Sequence, residues 1–158
     1  MVSHSSDDAR GSLYIVATPI GNLDDFSKRA EQTLRDVDYI AAEDTRHTRR
    51  LLNHFAIEAK LFSIHDHNEK DKAAYVASLL DEGKNVALVS DAGTPLISDP
   101  GYHVVHALRG KGHKVVPIPG ACALVSALCA SGLPTDQFFF AGFVPAKSKG
   151  RCDLFESW

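Results

Sequence analysis

Two rhythms of apolar and polar positions take turns along residues 13–130. Short apolar runs fall at 13–18 (LYIVAT), 39–42 (YIAA), 60–64, 85–89 (NVALV) and 114–118 (KVVPI). Each has the length of a strand, and YIVA and VALV read as strands buried on both faces. The segments between them follow the helical period. Leu23, Phe26, Ala30, Leu34 and Val37 recur at steps of three and four, and Leu51, Leu52 and Phe55 mark one face of 45–55. A third helix is expected from Asn68 as cap through Val76, Leu79 and Leu80 to Gly83. A fourth is expected from Asp99 as cap and Pro100 as first residue, through Val104, Val105 and Leu108, to Gly110 and Gly112. The last covers 121–130 and closes at Gly132 and Pro134. This alternation predicts an α/β domain over 13–134: a mainly parallel five-stranded sheet with helices on both faces. The pattern does not specify the order of the strands.

Beyond Pro134 the rhythm stops. Phe138, Phe139, Phe140 and Phe143 form a strand-like run, and 145–151 (PAKSKGR) reads as basic and flexible. Residues 135–158 are therefore expected to be a linker and the start of an incomplete second domain. The alternative is an extra edge strand with a short tail. Residues 1–12 are polar, lack the apolar core of a signal peptide, and read as a disordered tail.

Ligands of open parallel sheets bind beyond the C-terminal ends of the strands. In this chain those positions hold Thr18 to Asn22, Glu43 to Arg46, His65 to His67, Ser90 to Asp99 and Pro119 to Cys122. Polar residues and glycines thus converge on one rim. Neither G-x-x-x-x-G-K-[ST] nor a post-strand G-x-G-x-x-G occurs, which disfavours a nucleoside triphosphatase or an ordinary NAD dehydrogenase. A nucleoside ligand without pyrophosphate suits the rim better. The run D-A-G-T-P at 91–95 is either a tight turn or a loop whose backbone approaches a ligand.

The 158 residues carry a net charge of −3, which gives no general attraction to nucleic acid. An RNA partner would have to meet local clusters: Arg46, His47, Arg49 and Arg50, or Lys147, Lys149 and Arg151. The competing reading is a solvated helix face for the first and a linker for the second. Cys122, Cys129 and Cys152 are odd in number and form no C-x-x-C pair, which points to a reducing cytoplasm. No apolar run approaches the roughly 18 residues of a membrane span.

Four segments carry a family resemblance: L-Y-I-V-A-T-P-I-G-N-L at 13–23, A-A-E-D-T-R-H-T at 41–48, V-S-D-A-G-T-P-L-I-S-D-P-G at 89–101 and P-I-P-G-A-C-A at 117–123. Together they resemble the tetrapyrrole (corrin/porphyrin) methylases. Within that family they are similar to the branch that methylates a cytidine 2′-hydroxyl in small-subunit (16S) ribosomal RNA. The resemblance implies two α/β domains, S-adenosylmethionine in the cleft between them, and a homodimer. Carried over by motif, Pro19, Ala92, Gly93, Thr94, Ile97, Cys122 and Ala123 would contact the cofactor. Tetrapyrrole-modifying members have G-D-P where Gly93-Thr94-Pro95 stands, which favours the RNA branch. Ala121 stands where that branch more often has Pro.

A ribose hydroxyl needs a base to remove its proton. The rim offers Asp91, Glu43, Asp44, His65 and His67, none singled out by sequence. Asp91 could instead hold the loop, and Glu43 or Asp44 could cap the helix that follows. The pair His65-x-His67 is read as solvent-facing, and no metal is expected. Two other functions stay open: a methylase acting on a tetrapyrrole or a protein side chain, and a non-catalytic nucleoside-binding or dimerisation module. Gly93→Val is expected to block cofactor binding without unfolding the chain, and residues 1–158 alone to bind the cofactor weakly and lack activity.

Overall fold

A computed structural model describes residues 10–65 and 68–158. The strands are β1 (Ser12–Val16), β2 (Tyr39–Ala42), β3 (Lys60–Ser63), β4 (Val86–Val89) and β5 (Lys114–Ile118). The helices are α1 (Lys28–Asp36), α2 (Thr45–His54), α3 (Glu69–Asp81), α4 (Tyr102–Gly110), α5 (Ala123–Ala130) and α6 (Ser148–Glu156). All strand pairs are parallel, and the sheet order is β3-β2-β4-β1-β5. The expected sheet, five strands and both covered faces are all present.

Side-chain alternation sorts the strands into two cores. Leu13, Ala41, Val86 and Leu88 face α3 and α4, meeting Val76, Leu80, Val104 and Leu108. Val16, Ile40, Ala42, Ala87 and Val89 face α1 and α2, meeting Ala30, Leu34 and Leu52. All four residues of β4 are buried because it sits mid-sheet between those layers. The chain leaves β1 toward α1 on one face and leaves β4 toward α4 on the other. The crevice between these neighbouring strands is thus a topological switch point, where such sheets bind ligands.

Several boundaries differ from those read in the sequence. The first helical stretch is split: a 3-10 turn (Leu23–Asp25) precedes α1, because the Ser27 hydroxyl accepts the Ala30 N–H and starts a new helix. Gly11 and Ser12 belong to the fold. The Gly11 N–H donates to Leu80 O, and the Ser12 N–H donates to the Asn85 side chain. Asn68 occupies the cap position of α3 but accepts the His65 N–H instead of capping. Asp99 does not cap α4. Gly101 holds that position, and the buried Glu69 of α3 accepts the N–H groups of Gly101 and His103 at 2.7 and 2.9 Å. A carboxylate from a neighbouring helix thus satisfies the amide ends of α4 and complements its dipole.

The phenylalanine run forms no strand. Consecutive apolar residues cannot hide on one face of a ladder, and Phe138, Phe139, Phe140 and Phe143 stay exposed. Phe139 and Phe155 instead gather edge-on against Trp158, each with its ring 5.6 Å from the indole. The 145–151 segment is not a flexible loop throughout: α6 begins at Ser148, and Arg151 donates to the carbonyls of Pro145 and Ala146. Lys149, Arg151, Leu154 and Glu156 favour the helix there, and Gly150 opposes it most. Neither α5 nor α6 contains a buried residue.

Candidate functional site

The β1 and β4 loops are stitched together across the switch point. Thr18 and Gly93 exchange both backbone hydrogen bonds, at 2.9 and 3.0 Å. The Thr94 hydroxyl then donates to Ala121 O, tying the β4 loop to the β5 loop. The chain between Gly93 and Gly101 is unusually bent. Gly93, Leu96, Ser98 and Gly101 have φ of 81°, 71°, 64° and 125°. Leu96 and Ser98 hold a conformation that L residues rarely adopt, a form of strain that clusters at ligand sites. Gly101 cannot be replaced without conflict, since a Cβ would lie 2.8 Å from Leu88 Cδ2.

Two hollows open on this rim and meet at Ala92. The first encloses about 250 Å³. It is lined by Ile20, Ala92, Gly93, Thr94, Ile97, Ser98, Asp99, Cys122, Ala123 and Leu124, and also by Phe140, Gly142 and Phe143. Of the seven positions that the resemblance gave to a cofactor, six line this hollow: Ala92, Gly93, Thr94, Ile97, Cys122 and Ala123. Pro19 lines the second hollow instead. Among the described residues, Asp99 is the only Asp, Glu, Lys, Arg or His in the first wall. Partial burial pushes its carboxyl above the ordinary carboxylate value, the neighbouring Asp91 charge adds to this, and the Ser90 hydroxyl opposes it.

The second hollow encloses about 410 Å³ and has a different character. Thr18, Pro19, Gly21 and Leu23 form one side, and His47, Arg50, Leu51 and His54 of α2 form the other. Asp91 and Ala92 close it at the seam with the first. Asp91 Oδ1 accepts the Asp44 N–H at 3.1 Å, so this carboxylate does join the two loops.

The remaining base candidates are engaged or lie elsewhere. Asp44 caps α2, and Arg46 folds back onto it with N–O distances of 3.2 and 3.0 Å. That side-chain hydrogen bond, reinforced by the Arg46 backbone N–H, lowers the Asp44 carboxyl to about 2, and Asp44 raises Arg46 in return. His65 is exposed and approaches the Asn68 side chain at 3.1 Å. Glu43 lines neither hollow, and His67 lies outside the described residues.

The arginine trio does not act as one patch. Arg46 pairs with Asp44, Arg49 donates to Ala59 O beside β3, and only Arg50 faces a hollow. Lys147, Lys149 and Arg151 line neither one. The sequence reading missed three contributions. His54 joins His47 and Arg50 at helical spacing, which the period of α2 could have revealed. Asp99 was assigned to a helix cap. Phe140 and Phe143 were assigned to a strand, and no local signal places them over the first hollow.

The comparisons agree with this architecture. The family model of tetrapyrrole (corrin/porphyrin) methylases matches residues 12–155, and the chain belongs to that family. Among curated proteins it is 60% identical over 153 residues to the ribosomal RNA small subunit methyltransferase I of Escherichia coli O157:H7, covering 97% of this chain and 54% of that protein. It is 62% identical over 141 residues to the protein of the same name from Vibrio cholerae, covering 89% and 49%. The chain thus spans about half the length of the curated relatives it matches. Among solved structures, uroporphyrin-III-C-methyltransferase from Thermus thermophilus aligns with a TM-score of 0.60 at 26% identity, covering 81% of this chain and 55% of that one. The methyltransferase CobJ shares the fold, with a TM-score of 0.65 at 20% identity over 93% and 61%.

Proposed function

We propose that this chain is the methyl-donor half of an S-adenosylmethionine-dependent methyltransferase that acts on a cytidine ribose 2′-hydroxyl in small-subunit ribosomal RNA. The observation that carries the reading is the convergence of Ala92, Gly93, Thr94, Ile97, Cys122 and Ala123 on one hollow at the switch point. The hollow suits this cofactor in two ways. The sequence carries neither glycine-rich phosphate motif, which a sulfonium nucleoside does not need. The hollow's one carboxylate, Asp99, complements a ligand that carries positive charge.

When bound, the cofactor supplies a methyl group on a sulfonium, so transfer to an oxygen yields a neutral thioether and releases one proton. The protein's task is then placement and removal of that proton. Asp91 lines the second hollow next to Ala92, the residue that the two hollows share. One of its oxygens is fixed by the Asp44 N–H, and no hydrogen bond occupies the other among the described residues. We assign Asp91 to the proton. Asp44, held ionised and bonded to Arg46, is left the structural role of helix cap.

The exposed faces of α5 and α6 and the aromatic residues 138–143 fit the further assignments of a second wall of the cleft and a homodimer contact. The same reading puts the protein in the cytoplasm with the ribosomal subunits. No helix among the described residues is long and apolar enough to cross a membrane.

The test is methyl transfer from labelled S-adenosylmethionine to small ribosomal subunits. It uses the 158-residue chain and the same chain extended with the C-terminal half of the Escherichia coli O157:H7 relative. The extended chain should label a cytidine ribose and the 158-residue chain should not. Label on a base, on protein or on a tetrapyrrole would replace the substrate assignment.

A further inference from the structure

We propose that the second hollow seats a ribose–phosphate unit of the acceptor RNA strand, and that the His47–Arg50–His54 face of α2 holds its phosphate. The inference rests on the methyl-transfer reading for the presence of RNA, and on the following observations for the site.

His47, Arg50 and His54 are spaced at i, i+3 and i+7, so they share one helix face, and all three line the hollow. Leu51 lies among them, and Leu23, 41% exposed, stands opposite. The hollow therefore combines the Arg50 cation and two imidazole donors with apolar contacts from Leu51 and Leu23, which is the combination a phosphate and a sugar or base require. The chain's net charge of −3 makes this local wall matter, since the surface as a whole repels a polyanion.

Competition among the arginines of α2 singles out one residue. Arg46 is bound to Asp44, and Arg49 is bound to a backbone carbonyl near β3. Arg50 makes neither a hydrogen bond nor an ion pair among the described residues, so its guanidinium is unspent beside the hollow. A guanidinium fork matches two phosphate oxygens, and each imidazole can add one N–H donor.

The opposite sign at the seam gives the site direction. Asp91 repels a phosphate and accepts from a hydroxyl. A nucleotide in the hollow is therefore oriented with its phosphate toward α2 and its ribose hydroxyl toward Asp91 and the first hollow. This ordering differs from a uniformly basic RNA patch, in which Arg46, Arg49 and Arg50 would count alike.

The experiment is a fluorescence-anisotropy titration of a short, labelled, single-stranded RNA containing cytidine. It uses the 158-residue chain at several salt concentrations and the variants Arg50→Ala, Arg50→Lys and Arg46→Ala. Arg50→Ala should weaken binding roughly tenfold and reduce the log–log salt slope by about one, as for loss of one phosphate contact. Arg50→Lys should recover part of both, and Arg46→Ala should change affinity by less than about twofold. Thermal melts of the variants confirm that folded protein is compared. Equal losses for Arg46→Ala and Arg50→Ala, no loss for Arg50→Ala, or no RNA binding by the parent chain would overturn the inference. Parallel cofactor titrations separate it from the reading beneath it. Cofactor binding with an indifferent Arg50 sinks the phosphate wall alone. Arg50-dependent RNA binding in a chain that does not bind S-adenosylmethionine sinks the methyl-donor reading alone.

Discussion

The two hollows that meet at Ala92 are made of different materials. The first is shaped by backbone: a nine-residue loop, 93–101, with four positive φ angles, latched by the Thr18–Gly93 exchange and the Thr94–Ala121 bond. The second is shaped by side chains projecting from one face of α2. A backbone-built wall is rigid and selective for one small ligand, whereas a helix face that presents one arginine between two histidines adapts to a polymer. The two should therefore fail differently: the first by loss of its loop geometry, the second by loss of charge with the fold intact.

The largest expected effect breaks the first hollow from below. Glu69→Ala removes the acceptor of two amide hydrogen bonds at a buried position and should cost about 3 kcal/mol. It should also loosen 93–101 and abolish cofactor binding, while the α2 wall keeps its RNA affinity in the folded fraction. Chemical denaturation with parallel ligand titrations checks this. Full stability in the variant would mean that α4 does not depend on the Glu69 cap.

Gly93→Val comes next. Its φ of 81° and a Cβ only 3.2 Å from Ile20 Cγ2 make a branched residue strained whether or not ligand is present. We expect a loss of about 2 kcal/mol together with loss of cofactor binding. The strain lies in the turn itself, so the variant is expected to stay folded with reduced stability. A variant as stable as the parent chain would show that the loop can adopt another conformation.

Asp99→Asn sharpens the comparison by charge. It should weaken S-adenosylmethionine roughly tenfold and S-adenosylhomocysteine, which lacks the sulfonium charge, much less. Equal losses would place the carboxylate at the ammonium end of the ligand. The smallest effect is on stability. The folded Asp99 carboxyl ionises above its unfolded value of 3.8, so between the two the folded chain holds more protons and stability falls as pH rises. The penalty is fully present once pH lies above the folded value, and solvent screening keeps it small. Without ligand, Asp99→Asn should therefore melt slightly higher than the parent at pH 7, and the gain should vanish as pH falls toward 3.8. A lower melting temperature at pH 7 would contradict this.

What could be read from the sequence follows the same division. The strands were legible, because burial on both faces leaves apolar runs such as VALV; the residues of the first hollow came from the family resemblance, since D-A-G-T-P alone reads equally as a tight turn or a ligand loop. Asp99 was misread because a local rule, Asp before Pro, was overridden by Glu69, which binds the Gly101 N–H across 32 residues of sequence. The second hollow was legible only in part. Arg46, Arg49 and Arg50 look equivalent on a helical wheel, yet Asp44 and the Ala59 carbonyl engage two of them. Sequence spacing carries no record of that competition. The Phe138–Phe143 run was misread because apolar character alone does not supply a strand with a partner.

The central claim, that the hollow between β1, β4 and β5 holds the methyl donor, is tested most directly by amide chemical shifts of the 17.1 kDa chain during titration with S-adenosylmethionine. The measurement tolerates weak binding and reports position. Shifts are expected at residues 92–99, 121–124 and 140–143 and in the backbone of Thr18 to Gly21, with 47–54 little changed. Shifts centred on α2 with a silent 92–99 loop, or no saturable shifts at all, would contradict it.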